Sequence, residues 1–103
     1  MRIRFANPIH PGEMLREDFL NELGMSAGQL ARALGVPRTR IERLVREETA
    51  LSADTAMRLA RYFGTSEEFW LNMQISYDLD RAHADEALQA DLARIEPRPR
   101  DAA

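Results

Sequence analysis

The chain has 103 residues, enough for one domain with a modest core, and its 45% hydrophobic and 30% charged residues are ordinary for a globular protein. It holds no cysteine, which excludes a disulfide framework, a thiolate metal site and a cysteine nucleophile. The net charge of −3 argues mildly against a nucleic-acid partner, but it is unevenly placed: residues 1–46 carry eight Arg against five acids, and residues 47–103 six Arg against twelve.

Strand signals are weak, with no Asn-Gly or Asp-Gly turn and no sustained alternation, so an all-α chain is expected. The first helix is predicted from Pro11 to Leu23, with Pro tolerated at its first position and Gly24 ending it. Leu15, Phe19, Leu20 and Leu23 recur along it at helical spacing. The second is predicted over Ala27–Leu34 with Ser26 as N-cap, and the third from near Pro37 to about Arg46. The fourth covers Ala53–Phe63, between Ser52 and Gly64, with Ala56, Met57, Leu59, Ala60 and Phe63 as its apolar face. The fifth opens at Ser66, where Glu67 and Glu68 suit the helix dipole, and runs at least to Leu79. Residues 82–95 favour helix through Ala84, Leu88, Leu92 and Ile95, and one long helix or two shorter ones both fit. The domain is expected to span residues 1–95, with residues 96–103 as a disordered tail. No apolar run approaches the roughly 20 residues of a membrane span. The segment 1–8 lacks the apolar stretch of a signal peptide. A cytoplasmic protein without a membrane partner is expected.

The second and third helices are joined by only Gly35-Val36-Pro37, and a tight Gly-containing turn between two helices is the helix-turn-helix arrangement. Its physical demands are met over residues 27–46. The helices cross closely, and small Ala31 stands where they meet. The turn needs a residue tolerant of positive φ, which Gly35 supplies. Leu30, Leu34, Val36, Ile41 and Leu44 give apolar inner faces.

At 100° per residue, Ile41, Leu44 and Val45 define the buried side of the third helix. The opposite side carries Thr39, Arg43 and Arg46, with Glu42 near its edge, facing a DNA major groove. Arg38, near the helix start, is placed to reach a base edge, and Arg40 to reach a phosphate. Four Arg in nine residues form a local basic footprint that the net charge hides. All basic residues are Arg and none is Lys; Arg suits bidentate contact with phosphate and guanine.

The segments His10-Pro-Gly-Glu-Met-Leu-Arg-Glu-Asp-Phe-Leu, Gln29-Leu-Ala-Arg-Ala-Leu-Gly-Val-Pro-Arg, Leu51-Ser-Ala-Asp-Thr-Ala-Met-Arg-Leu-Ala-Arg-Tyr-Phe-Gly-Thr-Ser and Glu68-Phe-Trp-Leu-Asn-Met-Gln resemble the HigA-type antitoxins of the Xre helix-turn-helix family. The resemblance covers about residues 8–79. It implies a five-helix domain like that of lambda repressor, extended by a C-terminal helical segment. It also implies a homodimer on palindromic operator DNA, and a RelE- or HigB-like ribonuclease toxin as partner, neutralised while the shared operon is repressed. Ser26, Gln29 and Ser52 keep family-like positions near helix starts, where phosphate can be held. Elsewhere the chain departs from the family's habit. Ala27 stands where Gln is common, Pro37 where Ser is common, Thr39 where Gln is usual, and Arg46-Glu47-Glu48 where Asn-Gly-Arg usually ends the third helix.

Two other readings stay open: a stand-alone Xre-type repressor without a toxin, and a protein-interaction module whose helix-turn-helix has lost DNA binding. Phe69, Trp70, Leu71, Met73, Ile75, Tyr77 and Leu79 leave the fifth helix without a wide polar face, so a second subunit is expected against it. Over residues 67–95, the dimer interface is expected at Trp70, Met73, Tyr77, Leu88 and Leu92. His10 and His83 are the only histidines, too few for a metal site, and His10 is expected to belong to the start of the first helix. No nucleophile, base and oxyanion set and no Gly-rich phosphate loop can be assembled. No cofactor, metal or catalytic residue is expected, and the chain is not expected to be an enzyme.

Overall fold

Six helices form the structure, a computed structural model that describes residues 8–100, and no strand occurs among the described residues. Helix α1 spans residues 11–23; Pro11–Met14 and Asn21–Leu23 are α-helical, and the wider turns of Leu15–Leu20 between them are π-helical. The others are α2 (Ala27–Leu34), α3 (Arg38–Val45), α4 (Ala53–Phe63), α5 (Glu67–His83) and α6 (Glu86–Ala93).

Every start but that of α3, where Pro37 offers no capping side chain, is fixed by a residue that satisfies an orphan backbone N–H group. Ser26, Ser52, Ser66 and Asp85 accept from the backbone N–H three residues on. His10 caps α1 from one residue closer, its Nδ1 accepting from the Gly12 N–H two residues on at 2.9 Å. The C-terminal stops fall at Gly24, Gly35 and Gly64, all with φ between +61° and +73°. Pro37 sits in extended conformation as the N-cap of α3 rather than inside it. The stretch beyond Leu79 resolves as two helices: Ala84 ends α5, and the Asp85 carboxylate, accepting from the Leu88 N–H at 3.1 Å, starts α6 afresh. Residues 95–99 have no regular secondary structure, and residues 101–103 of the expected tail lie outside the described residues.

The core gathers Leu15, Leu30, Ile41, Leu44, Leu59 and Trp70 from α1 to α5, all essentially inaccessible to water. Burying each such side chain stabilises the fold by roughly 1.5–3 kcal/mol. Phe19 of α1 stacks at 4.7 Å from Phe63 and 5.0 Å from Trp70, closing α1 over α4 and α5. The Trp70 indole N–H donates to Thr65 Oγ1 at 2.7 Å. Among the described residues no buried side-chain nitrogen or oxygen lacks a partner.

The structure changes the sequence expectation at several residues. Trp70 and Met73, expected at a subunit interface, belong to the core of this one chain, because α1 and α4 cover that side of α5. Tyr77 is half-buried, its ring edge-on to His10 at 5.0 Å. Leu23 and Met57, placed on core faces by periodicity, are 61% and 52% exposed. Of the interface residues expected from the sequence, Leu88 and Leu92 remain outward-facing.

Candidate nucleic-acid interface

The unit of interest is α2, its turn and α3. A reciprocal capping box starts α2: Ser26 Oγ accepts from the Gln29 N–H at 3.1 Å, and Gln29 Oε1 accepts from the Ser26 N–H at 2.8 Å. Leu30, Ala31 and Leu34 face the core. Gly35 then turns the chain at φ +72°, and the Val36 N–H donates back to the Ala31 carbonyl at 3.0 Å. That contact fixes the angle at which α3 leaves.

Helix α3 divides as its angles predict. Ile41 and Leu44 are buried and Val45 is half-buried, while Thr39, Arg43 and Arg46 are exposed together on the far side. The two edges are occupied by ion pairs. On one, Arg38 Nε lies 3.2 Å from Glu42 Oε2, one helical turn on. On the other, Arg40 Nη1 reaches across to Asp54 Oδ1 at 2.8 Å. The same Asp54 oxygen accepts from Arg58 Nε at 2.8 Å, and Arg58 Nη1 donates to the last carbonyl of α2, Leu34 O, also at 2.8 Å. Hydrogen bonds from Arg58, and then from Arg40, hold the Asp54 carboxyl below the usual aspartate range. Ser52 caps α4 two residues before Asp54, its Oγ within 3.2 Å of both Thr55 N and Thr55 Oγ1. Of the predicted site residues, the fold therefore unites Thr39, Arg43 and Arg46 on one open face. It draws Arg38, Glu42 and Arg40 into edge pairs, and uses Ser26, Gln29 and Ser52 as helix caps.

Two residues that hold this face in place were not singled out from the sequence. A Cβ built on Gly12 lies 1.8 Å from the carbonyl oxygen of Leu44, so only glycine lets the start of α1 lie against the C-terminal turn of α3. Glycine inside a first helical turn is otherwise unfavourable, and that oddity was the available signal. Arg16, in the π-helical part of α1, donates to the Val45 carbonyl and pairs with Glu47 Oε2 at 3.3 Å. A cation on the last carbonyls of a helix also suits its dipole. Hydrogen bonds to Glu17 first, and to Glu47, raise the Arg16 pKa above its ordinary value. Nothing in the local sequence marks Arg16 for this part.

Helix α3 ends unusually. The Glu47 N–H donates to Leu44 O and the Glu48 N–H to Arg43 O, each at 2.9 Å, the pattern that closes a helix on a left-handed residue. That residue is Glu47, at φ +61°, the one non-glycine in the left-handed region among the described residues.

A buried-faced helix pair with a left-handed glycine turn, and a second helix that turns its polar side outward, defines a helix-turn-helix protein. The helix-turn-helix family matches residues 15–70. Virulence-associated protein I of Dichelobacter nodosus is 54% identical over 75% of this chain and 71% of its own length. Antitoxin HigA-1 of Vibrio cholerae is 39% identical over 77% of this chain and 74% of its own. The solved structure of Pseudomonas aeruginosa antitoxin HigA with the higBA promoter aligns with a TM-score of 0.80 at 47% identity, over 90% of this chain and all of that one. The chain belongs to the Xre-type helix-turn-helix family, whose HigA antitoxins are its structural neighbours. In keeping with these relatives it is not an enzyme.

Proposed function

We propose that this chain is a HigA-type antitoxin that binds operator DNA as a homodimer, represses its own operon and neutralises a RelE-like, mRNA-cleaving toxin. The observation that carries the reading is the outward face of α3, where Thr39, Arg43 and Arg46 stand clear of the core, in a chain 47% identical to an antitoxin solved with its promoter. Arg43 has the reach and planar donors for bidentate contact with a guanine. Thr39 is suited to a base hydrogen bond or a thymine methyl. Arg46, Arg38 and Arg40 flank them for phosphate or base edges, the last two after leaving Glu42 and Asp54. Ser26, Gln29 and Ser52 sit at helix starts, where backbone N–H groups favour phosphate. The dimer is supported by α6, which buries none of its own residues and presents Leu88 and Leu92 outward. Dimers of helix-turn-helix proteins bind half-sites one DNA turn or a multiple of it apart, which a pair joined there would have to match. The surplus of acids over residues 47–103 suits a basic, RNA-binding toxin.

Titration of the upstream promoter duplex across a salt series tests the DNA half of the reading. Sequence-selective binding that weakens with salt is expected, and equal affinity for an unrelated duplex refutes it. Co-expression with the neighbouring gene tests the toxin half, which fails if the pair neither restores growth nor co-purifies. A protein-interaction module without DNA binding is favoured by Glu47 and Glu48, which put two acids beside the DNA-facing helix; promoter binding eliminates it.

A further inference from the structure

Three arginines around the outward face of α3 are already paired with carboxylates of the same chain: Arg16 with Glu47, Arg38 with Glu42, and Arg40 with Asp54. Arg43 and Arg46 have no such partner among the described residues. The Arg40 pair differs from the other two. It joins the body of α3 to the first turn of α4, and its carboxylate is anchored independently. Asp54 lies in the first turn of α4, where the helix dipole favours a negative charge. Arg58 grips the same Oδ1 while bracing against Leu34 O. Asp54 therefore keeps its position whether or not Arg40 is present. It is also open to solvent, with its side chain 55% exposed against 41% for Arg40, so the pair can exchange with an outside anion.

We propose that Asp54 is a built-in competitor of the DNA backbone, a carboxylate that occupies the Arg40 guanidinium in free protein and must be displaced by a phosphate on binding. The inference rests on the DNA-binding reading above and adds a specific residue to it. An arginine transferred from carboxylate to phosphate leaves Asp54 with Arg58 alone, and a cation from solution makes up part of the lost neutralisation as DNA releases one. The net counterion release at this contact is thereby reduced. Asp54 lowers affinity for any duplex and flattens the salt response, without choosing among bases. Sequence selection is left to the unpaired Arg43.

Asp54→Asn keeps the shape and removes the charge. Its affinity for both the promoter duplex and an unrelated duplex of equal length is expected to rise about two- to fivefold, the range of an exposed ion pair. The slope of log affinity against log salt is expected to steepen by up to about one. Arg40→Gln in the Asp54→Asn background removes that gain, whereas Arg40→Gln alone costs the wild type little. A gain in Asp54→Asn that survives Arg40→Gln overturns the proposal, since Arg58 would then be its source. Melting curves read alongside show whether Asp54→Asn stays folded. Should it not, Arg40→Gln alone decides: a steep loss of affinity and slope in the wild-type background means that Arg40 was never held back. Wild-type binding with Asp54→Asn no tighter overturns the competitor and spares the DNA-binding reading, while silence of both proteins on both duplexes overturns the two together.

Discussion

Replacing Gly12 by alanine tests how the face of α3 is held. The added Cβ would stand 1.8 Å from Leu44 O and 2.8 Å from Leu44 C, and both are backbone atoms that no rotamer change can move. Relief requires α1 and α3 to part by roughly 1 Å or more, which forfeits much of the dispersion across their contact. Overpacking of this kind costs about 1–3 kcal/mol, and an unyielding backbone puts Gly12→Ala at the upper end. The better helix propensity of alanine returns at most about 1 kcal/mol, leaving a net loss near 2 kcal/mol. At about 4–8 °C per kcal/mol for a domain of this size, Tm falls by roughly 8–16 °C. Trp70, the sole tryptophan and fully buried, reports the transition by fluorescence, with circular dichroism as a second probe. Gly28→Ala is the control, because its Cβ meets only side-chain atoms, the tightest being the flexible Cδ of Arg38 at 3.0 Å. If Gly12→Ala melts with or above the wild type, the close approach of α1 to α3 is wrong.

Other substitutions probe the remaining parts of the site. Arg43→Ala is expected to weaken promoter binding by about 1–3 kcal/mol and to relax selection at one base pair; an unchanged affinity at fixed salt removes Arg43 from the reading set. Glu47→Gly relieves a left-handed residue, worth about 1–2 kcal/mol before the greater freedom of glycine in the unfolded chain is subtracted. It also removes a carboxylate beside α3, so Tm should hold or rise slightly and DNA affinity should increase, and a loss of affinity contradicts this. Leu88→Asp combined with Leu92→Asp should convert a dimer to a monomer in light scattering while leaving Tm of the core nearly unchanged, since neither residue is buried; a dimer that persists places the interface elsewhere.

Periodicity and capping chemistry make most of the scaffold legible in the sequence. Ser26, Ser52, Gly24, Gly35 and Gly64 mark helix ends by local rules, and local rules survive folding. The open face of α3 was readable because a short helix with three apolar residues has only one way to bury them. Less legible was whatever depends on residues distant in sequence. Trp70 and Met73 were placed at an interface because a nearly all-apolar helix can be covered by its own domain or by another chain, and sequence alone does not say how far α1 reaches over α5. The pairing of Arg40 with Asp54, 14 residues away, and the hold of Arg16 on Val45 and Glu47, across the helix-turn-helix, arise from tertiary placement. No spacing rule encodes them.

The short run from His10 to Gly12 touches two parts of the molecule that the proposed function keeps separate. His10 meets Tyr77 of α5 edge-on, and two residues later Gly12 lies against the last turn of α3. Helix α3 and the long helix that leads to the exposed α6 thus share a neighbour, pinned by a proline and by an internal hydrogen bond. Displacing this run would therefore disturb the His10–Tyr77 contact and the packing against the last turn of α3 together.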